Sequence, residues 1–368
     1  MTLAAPVPAM AASLSGLIAG RRRIGLYVLG GLALACLLLA VVAIGQGAIG
    51  IPPGRVTEIL WARLTGDGAL LEGRDALVVL NIRLPRVLLG LLVGAGLAVS
   101  GALMQGLFRN PLADPGLVGV SAGAGLAAAA TIVLGDRFLA GTLMKLPFAM
   151  LPFGAFCGGL ISTLVLYLIA TRDGRTSVAT MLLAGVALGA LSGALTGLLA
   201  FISDDRQLRD LTFWSLGSLG GASWSKLSIV APIILPLLLT MPLLARGLNG
   251  LMLGEAEAYH LGIPVQRIKA LAILLVALAV GASVAAAGLI GFVGIVVPHL
   301  IRLSVGPDHR LLLPLSALGG AILLVAADIV ARLIVAPAEL PIGIVTAAIG
   351  APFFLWLLLR RAGGALDV

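Results

Sequence analysis

Residues Ile24–Gly45 run for 22 positions without a charged side chain. As an α-helix this stretch is about 33 Å long at 1.5 Å per residue, enough to cross a hydrocarbon core of about 30 Å. Nine further apolar runs follow: Val87–Phe108, Leu117–Gly135, Pro147–Ala170, Val178–Ile202, Leu227–Ala245, Ala270–Ala287, Leu289–Leu303, Leu311–Leu333 and Pro341–Leu359. The chain is therefore expected to be an all-α polytopic membrane protein of about ten transmembrane helices. Its 11% charged residues compare with about 25% in a soluble domain. Its 49 glycines suit a bundle in which small residues let helices approach closely.

Orientation is read from arginine. Arg21, Arg22 and Arg23 precede the first run and Arg360 and Arg361 follow the last, so both termini are expected in the cytoplasm. The bias over the whole chain is slight, 13 basic residues inside against 11 outside, and the outside ones fall mostly in long loops, which constrain topology less. This divides the chain into a tail (1–23), a transmembrane domain (24–361) and a C-terminal tail (362–368). Positions 47–85 are expected as an outside loop with a short helix near Val56–Leu64, and Ser203–Lys226 as a second outside segment. Thr171–Ser177 reads as a basic inside loop. No basic n-region opens the chain, which speaks against a cleaved signal peptide.

The most polar island is Gly254–Lys269, GEAEAYHLGIPVQRIK, on the cytoplasmic side. Glu255 and Glu257 suit a helix N-terminus, and Gly262 and Pro264 supply a stop, so a two-turn helix over Glu255–Leu261 is expected. It reads equally as a solvated loop or as a handle for another protein.

Chemistry is sparse. The net charge of +8 is scattered through short loops, which does not suggest a nucleic-acid partner, and Cys36 and Cys157 lie inside apolar runs. His260, His299 and His309 form no HExxH or His/Cys cluster, and no metal site is expected. No G-x-x-x-x-G-K-[ST] motif is present, so uphill work would draw on a partner or an ion gradient. Asp328, deep in a run and four residues before Arg332, reads as a structural ion pair rather than a pumped-ion site. Arg83, Arg86 and Arg332 stand at the outer ends of spans. They suit either recognition of partner carboxylates or snorkelling at the interface.

Several ordered motifs carry a resemblance. They are IRLPR over 82–86, NPLADPGLVG over 110–119, GLIGFVGIVVPHLIR over 288–302, GPDHRLLLP over 306–314, ADIVAR over 327–332 and ELPIGIVTAAIGAPFFLW over 339–356. Together they resemble the permease family of bacterial ABC importers for ferric siderophores, haem and cobalamin. The resemblance implies a type II importer permease in the bacterial inner membrane, working as a homodimer with two cytoplasmic ATPase subunits and a periplasmic binding protein. It implies that Glu255, Glu257, Ala258, Tyr259, Leu261 and Gly262 belong to a coupling helix seated on the ATPase. It further implies that Arg83, Arg86 and Arg332 receive acidic residues of the binding protein. The stretch LRDLTFWSLGSLGGASW over 208–224 is closer to haem permeases than to the others. Haem would then be the transported substrate, with no resident cofactor, and siderophore or cobalamin the alternatives within the family. An ion-coupled secondary transporter is the alternative outside it.

Overall fold

The computed structural model describes residues 7–47, 50–66, 71–138 and 147–363. Among the described residues six helices are long and apolar enough to cross a membrane. They are the apolar part of α1 (Val7–Gly45), a continuous Arg74–Leu107 helix, α6 (Pro147–Ala170), α7 (Val178–Phe201), α12 (Val265–Ala287) and α14 (His309–Leu333). The Arg74–Leu107 span is built from α3 (Arg74–Val78), a π-helical turn Val79–Arg83 and α4 (Leu84–Leu107). A seventh span is a broken pair, α9 (Trp224–Leu239) and α10 (Met241–Leu251), bent by 47°. Shorter apolar helices lie in α5 (Val120–Phe138), α13 (Val293–Val305) and α15 (Ile342–Gly363), which brings the bundle to the expected ten.

The short α13 would cover only about 20 Å. Irregular backbone over Gly288–Phe292 leads into it and is enclosed by Leu216–Ser218 and the start of α15, which are tied to each other and to Ala287: Ser218 N donates to Ala287 O at 2.7 Å, Ile342 N to Gly217 O at 3.0 Å and Gly343 N to Leu216 O at 3.0 Å. Non-helical backbone is tolerated at membrane depth only when enclosed by protein in this way.

The Arg74–Leu107 helix is the hub. Its span is 83% buried within the chain, against 17% for α1 and 11% for α7, and α4 packs on α9, α12, α13 and α14. Glycine makes that packing possible: a Cβ on Gly94 would strike the Gly320 carbonyl of α14, and one on Gly101 the Gly294 carbonyl of α13. Backbones this close gain dispersion contacts where lipid removes the hydrophobic drive.

Several boundaries differ from the sequence reading. The second span begins at Arg74 rather than Val87, because the chain stays helical through Pro85, which comes just after the π-helical turn Val79–Arg83 where the hydrogen-bond ladder is already altered. The loop between the first two spans is correspondingly shorter and carries α2 (Pro53–Thr65). Ser203–Lys226 contains α8 (Asp205–Ser215), opened by an Asp204–Gln207 capping box. The basic loop is a hairpin, β1 (Thr171–Arg172) with β2 (Arg175–Thr176), turning through left-handed Asp173 and Gly174. α1 begins at Val7, so the arginine triplet falls inside a helix and not ahead of one. The side chains of Arg21, Arg22, Arg360 and Arg361 and the tail after Gly363 lie outside the described residues.

Candidate functional sites at the two ends of the bundle

At one end α11 (Glu255–His260) stands clear of the bundle, one residue shorter than expected. Gly254, at φ 116°, opens it in a conformation only glycine adopts readily. Glu255 and Glu257 occupy the positively polarised first turn. Ile263 N returns to Ala258 O at 3.0 Å and Gly262 N to Tyr259 O at 2.9 Å, closing the far end.

Its faces do different things. Ala258 is fully buried and seats the helix, while Glu255 Oε1 meets Lys269 Nζ of α12 at 2.6 Å. Lys269 is only 1% exposed and also donates to Thr176 O of the hairpin at 2.9 Å. Gln266 accepts from Thr176 N at 3.0 Å. The helix is thus pinned to α12 and to the hairpin through a buried ammonium, and loss of Glu255 would leave that charge uncompensated. Outward, Tyr259 is 74% and Leu261 64% exposed, flanked by exposed Leu253 and Glu257. Large apolar side chains so exposed on a fixed helix make this face a candidate contact surface.

At the opposite end Arg83, Arg86 and Arg332 are gathered together and turned inward, at 6%, 8% and 8% exposure. Arg86 is bidentate to Glu339 (2.8 and 3.0 Å) and also holds Asp328 at 2.9 Å. Asp328 in turn meets Arg332 Nε at 3.0 Å. Arg332 donates onward to Gln46 O at 2.9 Å and Ala43 O at 3.2 Å, and Arg83 to Ile44 O at 2.9 Å and Gly45 O at 2.7 Å. The knot ties the ends of α1, α4 and α14 to the segment before α15. Asp328 is not in the simple pair expected: two guanidiniums share it. Glu339, 44% exposed at its side chain, is the member the sequence reading missed, and the Arg86 hydrogen bond holds its carboxyl below the usual range. Its acid stands 253 residues from Arg86, beyond any local pattern.

A second polar group escaped the sequence reading. Near the α11 end Asn249 of α10 accepts from His309 N and contacts His309 Nδ1, both at 2.9 Å, and donates to Asp308 at 2.6 Å. Arg302 donates to Gln105 at 3.3 Å, and Gln105 to the Gly294 and Ile295 carbonyls. His299 is buried. Among the described residues no group of three His, Cys, Asp or Glu could hold a metal ion.

A ten-span bundle with a central glycine-packed helix, a broken helix pair and a short exposed helix between spans is the architecture of a membrane permease. The chain belongs to the FecCD transport family, whose match covers residues 33–360. It is 49% identical over 335 residues to the hemin transport system permease protein HmuU of Yersinia pestis, covering 91% of this chain and 96% of that one. The vitamin B12 import system permease protein BtuC of Salmonella typhi is 48% identical over 295 residues, covering 80% and 87%. A solved metal-chelate type ABC transporter in an inward-facing conformation superposes with a TM-score of 0.75 at 33% identity, over 91% of this chain and 99% of that one.

Proposed function

We propose that this chain is the membrane-spanning subunit of an ABC importer that carries haem across the bacterial inner membrane. The observation behind haem is the breadth of the likeness to the hemin permease, 91% of this chain against 80% for the B12 permease. The sequence holds no P-loop, so ATP hydrolysis would reside in two cytoplasmic ATPase subunits seated on α11. Tyr259 and Leu261 would be the knobs, with Glu255, Ala258 and Gly262 fixing their pose and Glu257 at the rim. Both termini would then lie in the cytoplasm and the arginine knot in the periplasm.

A second copy would complete the path. α7 exposes Leu183, Val186, Leu191 and Leu198 and an open row of Gly189, Gly193 and Gly197, a surface suited to a second helix at close range. A periplasmic haem-binding protein would dock at the knot. Because Arg83, Arg86 and Arg332 are engaged internally, direct pairing with partner carboxylates would have to displace Asp328, Glu339 or backbone carbonyls. Reversing the three arginines would break the knot before it tested docking, so the informative change is on the binding protein. Neutralising its acidic residues, with this chain intact, should weaken docking and its salt dependence if the pairing is direct.

The test of the whole reading is reconstitution with the ATPase and binding protein in proteoliposomes. ATP-dependent haem uptake that survives collapse of ion gradients is expected. Uptake of cobalamin or a ferric siderophore in preference to haem would move the substrate within the family. Gradient-driven uptake would instead restore an ion-coupled reading for Asp328, against which its two arginine partners stand.

A further inference from the structure

A cavity of about 760 Å³ opens in the elbow between α9 and α10, against the first turns of α14. Leu239, Leu243 and Pro314 give it apolar walls, and Arg246 and Arg310 stand among its lining residues. Both arginines are exposed, and among the described residues neither guanidinium has a hydrogen bond or an ion pair. This sets them apart from the arginines of the knot, each of which is engaged within the chain. Asp308, the nearby acid, is occupied: its Oδ1 accepts from Asn249 Nδ2 at 2.6 Å and from Arg310 N at 3.0 Å. The cavity thus offers two guanidiniums outside any ion pair, against the single charge of Asp308, beside an apolar slot at the end of membrane-crossing helices. Its size lies in the range of about 300–1,000 Å³ typical of sites for small amphiphilic ligands. Basic pockets between spans suit lipid phosphates, because the chain can remain in hydrocarbon while the headgroup meets the cations.

We propose that this elbow binds one anionic phospholipid of the leaflet on the α11 side, its phosphate between Arg246 and Arg310 and an acyl chain along Leu239, Leu243 and Pro314. The lipid wedges the bend whose second arm, α10, runs into α11 through Met252–Gly254. The site depends on the membrane placement of the bundle and not on which substrate is carried.

The test is lipid binding to the purified full-length chain in detergent, read by native mass spectrometry with phosphatidylglycerol and phosphatidylcholine. Wild type should retain phosphatidylglycerol preferentially. R246Q with R310Q should lower that affinity about thirtyfold, at about fivefold per arginine near a charged headgroup, and lower phosphatidylcholine less, because its choline offsets the phosphate charge. Leu243→Trp keeps both cations but fills the slot, and should weaken both lipids. R172Q with R175Q, on the hairpin at the same end, should change neither. A lipid-free melting curve equal to wild type shows that each variant is folded. Undiminished phosphatidylglycerol binding in R246Q/R310Q would overturn the site. Competition by glycerol 3-phosphate at the lipid's own concentration would reduce it to a soluble-anion site and overturn the lipid assignment. Loss of the ATPase or of a second copy from R246Q/R310Q, with no lipid present, would assign the surface to a protein contact and overturn it as well.

Discussion

At the arginine end the deep charges are matched within the chain, whereas at the α11 end the chain leaves Tyr259 and Leu261 exposed on a helix that is itself firmly pinned. Both ends use a buried cation, Arg86 in one and Lys269 in the other. In the knot the cations and their acids close on one another and on the carbonyls of α1, so what is fixed is the relative position of three spans. At α11 the single pair Glu255–Lys269 fixes a platform, and the apolar surface on that platform is left unmatched. The difference separates two arrangements of similar residues: at one end charges are closed on one another within the chain, and at the other unmatched apolar surface stands on a rigid support, as the proposed ATPase contact requires.

The sharpest way to break this comparison is at Asp328. Asp328→Ala leaves Arg86 and Arg332 without their shared carboxylate, and should cost about 3–5 kcal/mol, the usual penalty for stripping one partner from a buried ion pair. That is a larger loss than the single pair foreseen from the sequence would imply. Thermal unfolding of the purified chain measures it, and a loss below about 1 kcal/mol, the range of an exposed pair, would show that the knot is wet and weak. Replacing Asp328 by Leu together with Arg332 by Met should recover part of the stability, since the buried charges then fall together.

Next in size is the partner contact. Tyr259→Asp with Leu261→Asp should leave the unfolding midpoint of the isolated chain unchanged and weaken ATPase retention by on the order of 2 kcal/mol or more, the scale of an interface hot spot. Co-purification of the ATPase at graded salt reads this directly. Full retention would mean that the exposed knobs of α11 are not the contact.

A smaller effect separates platform from contact. Glu255→Gln removes the charge opposite Lys269 but keeps a hydrogen-bonding side chain, and should cost about 1 kcal/mol of stability, discounted for the partial exposure of Glu255. Its effect on ATPase retention should be weaker than that of the Tyr259 and Leu261 changes. The reverse order would make Glu255 part of the contact itself.

The smallest effect is a pH dependence at the knot. Glu339 has its carboxyl depressed chiefly by the Arg86 hydrogen bond. A depressed folded value means stability that is fully present above the unfolded carboxyl value of about 4.3 and is lost as pH falls through the lower folded value. Glu339→Gln should therefore flatten the acid side of the unfolding profile by less than about 1 kcal/mol, given the exposure of Glu339. An acid limb identical in wild type and variant would show that Glu339 is free in solution.

The spans were legible because hydrocarbon imposes one rule on every residue of a crossing helix: apolar side chains over a fixed length. That rule depends on local sequence alone, so the first run ends with α1 at Gly45, and Val178–Ile202 and Leu311–Leu333 reappear as α7 and α14 within a few residues at both ends. The polar helix at Glu255 was legible for a similar reason, since its charges and its glycine stop are local. The capping box at Asp204 was equally local and could have been read. What tertiary structure alone decided are the partners of the charges. Arg86 meets Glu339 across 253 positions and Arg332 meets Gln46 across 286. Such meetings depend on how close α4, α14 and α1 come, and so on glycines such as Gly94 and Gly320 that face each other across the helix interface. Sequence fixes which side chains carry charge and how long each helix runs. Whether an arginine looks out to a partner or in to a carboxylate depends on a packing geometry that no local pattern encodes.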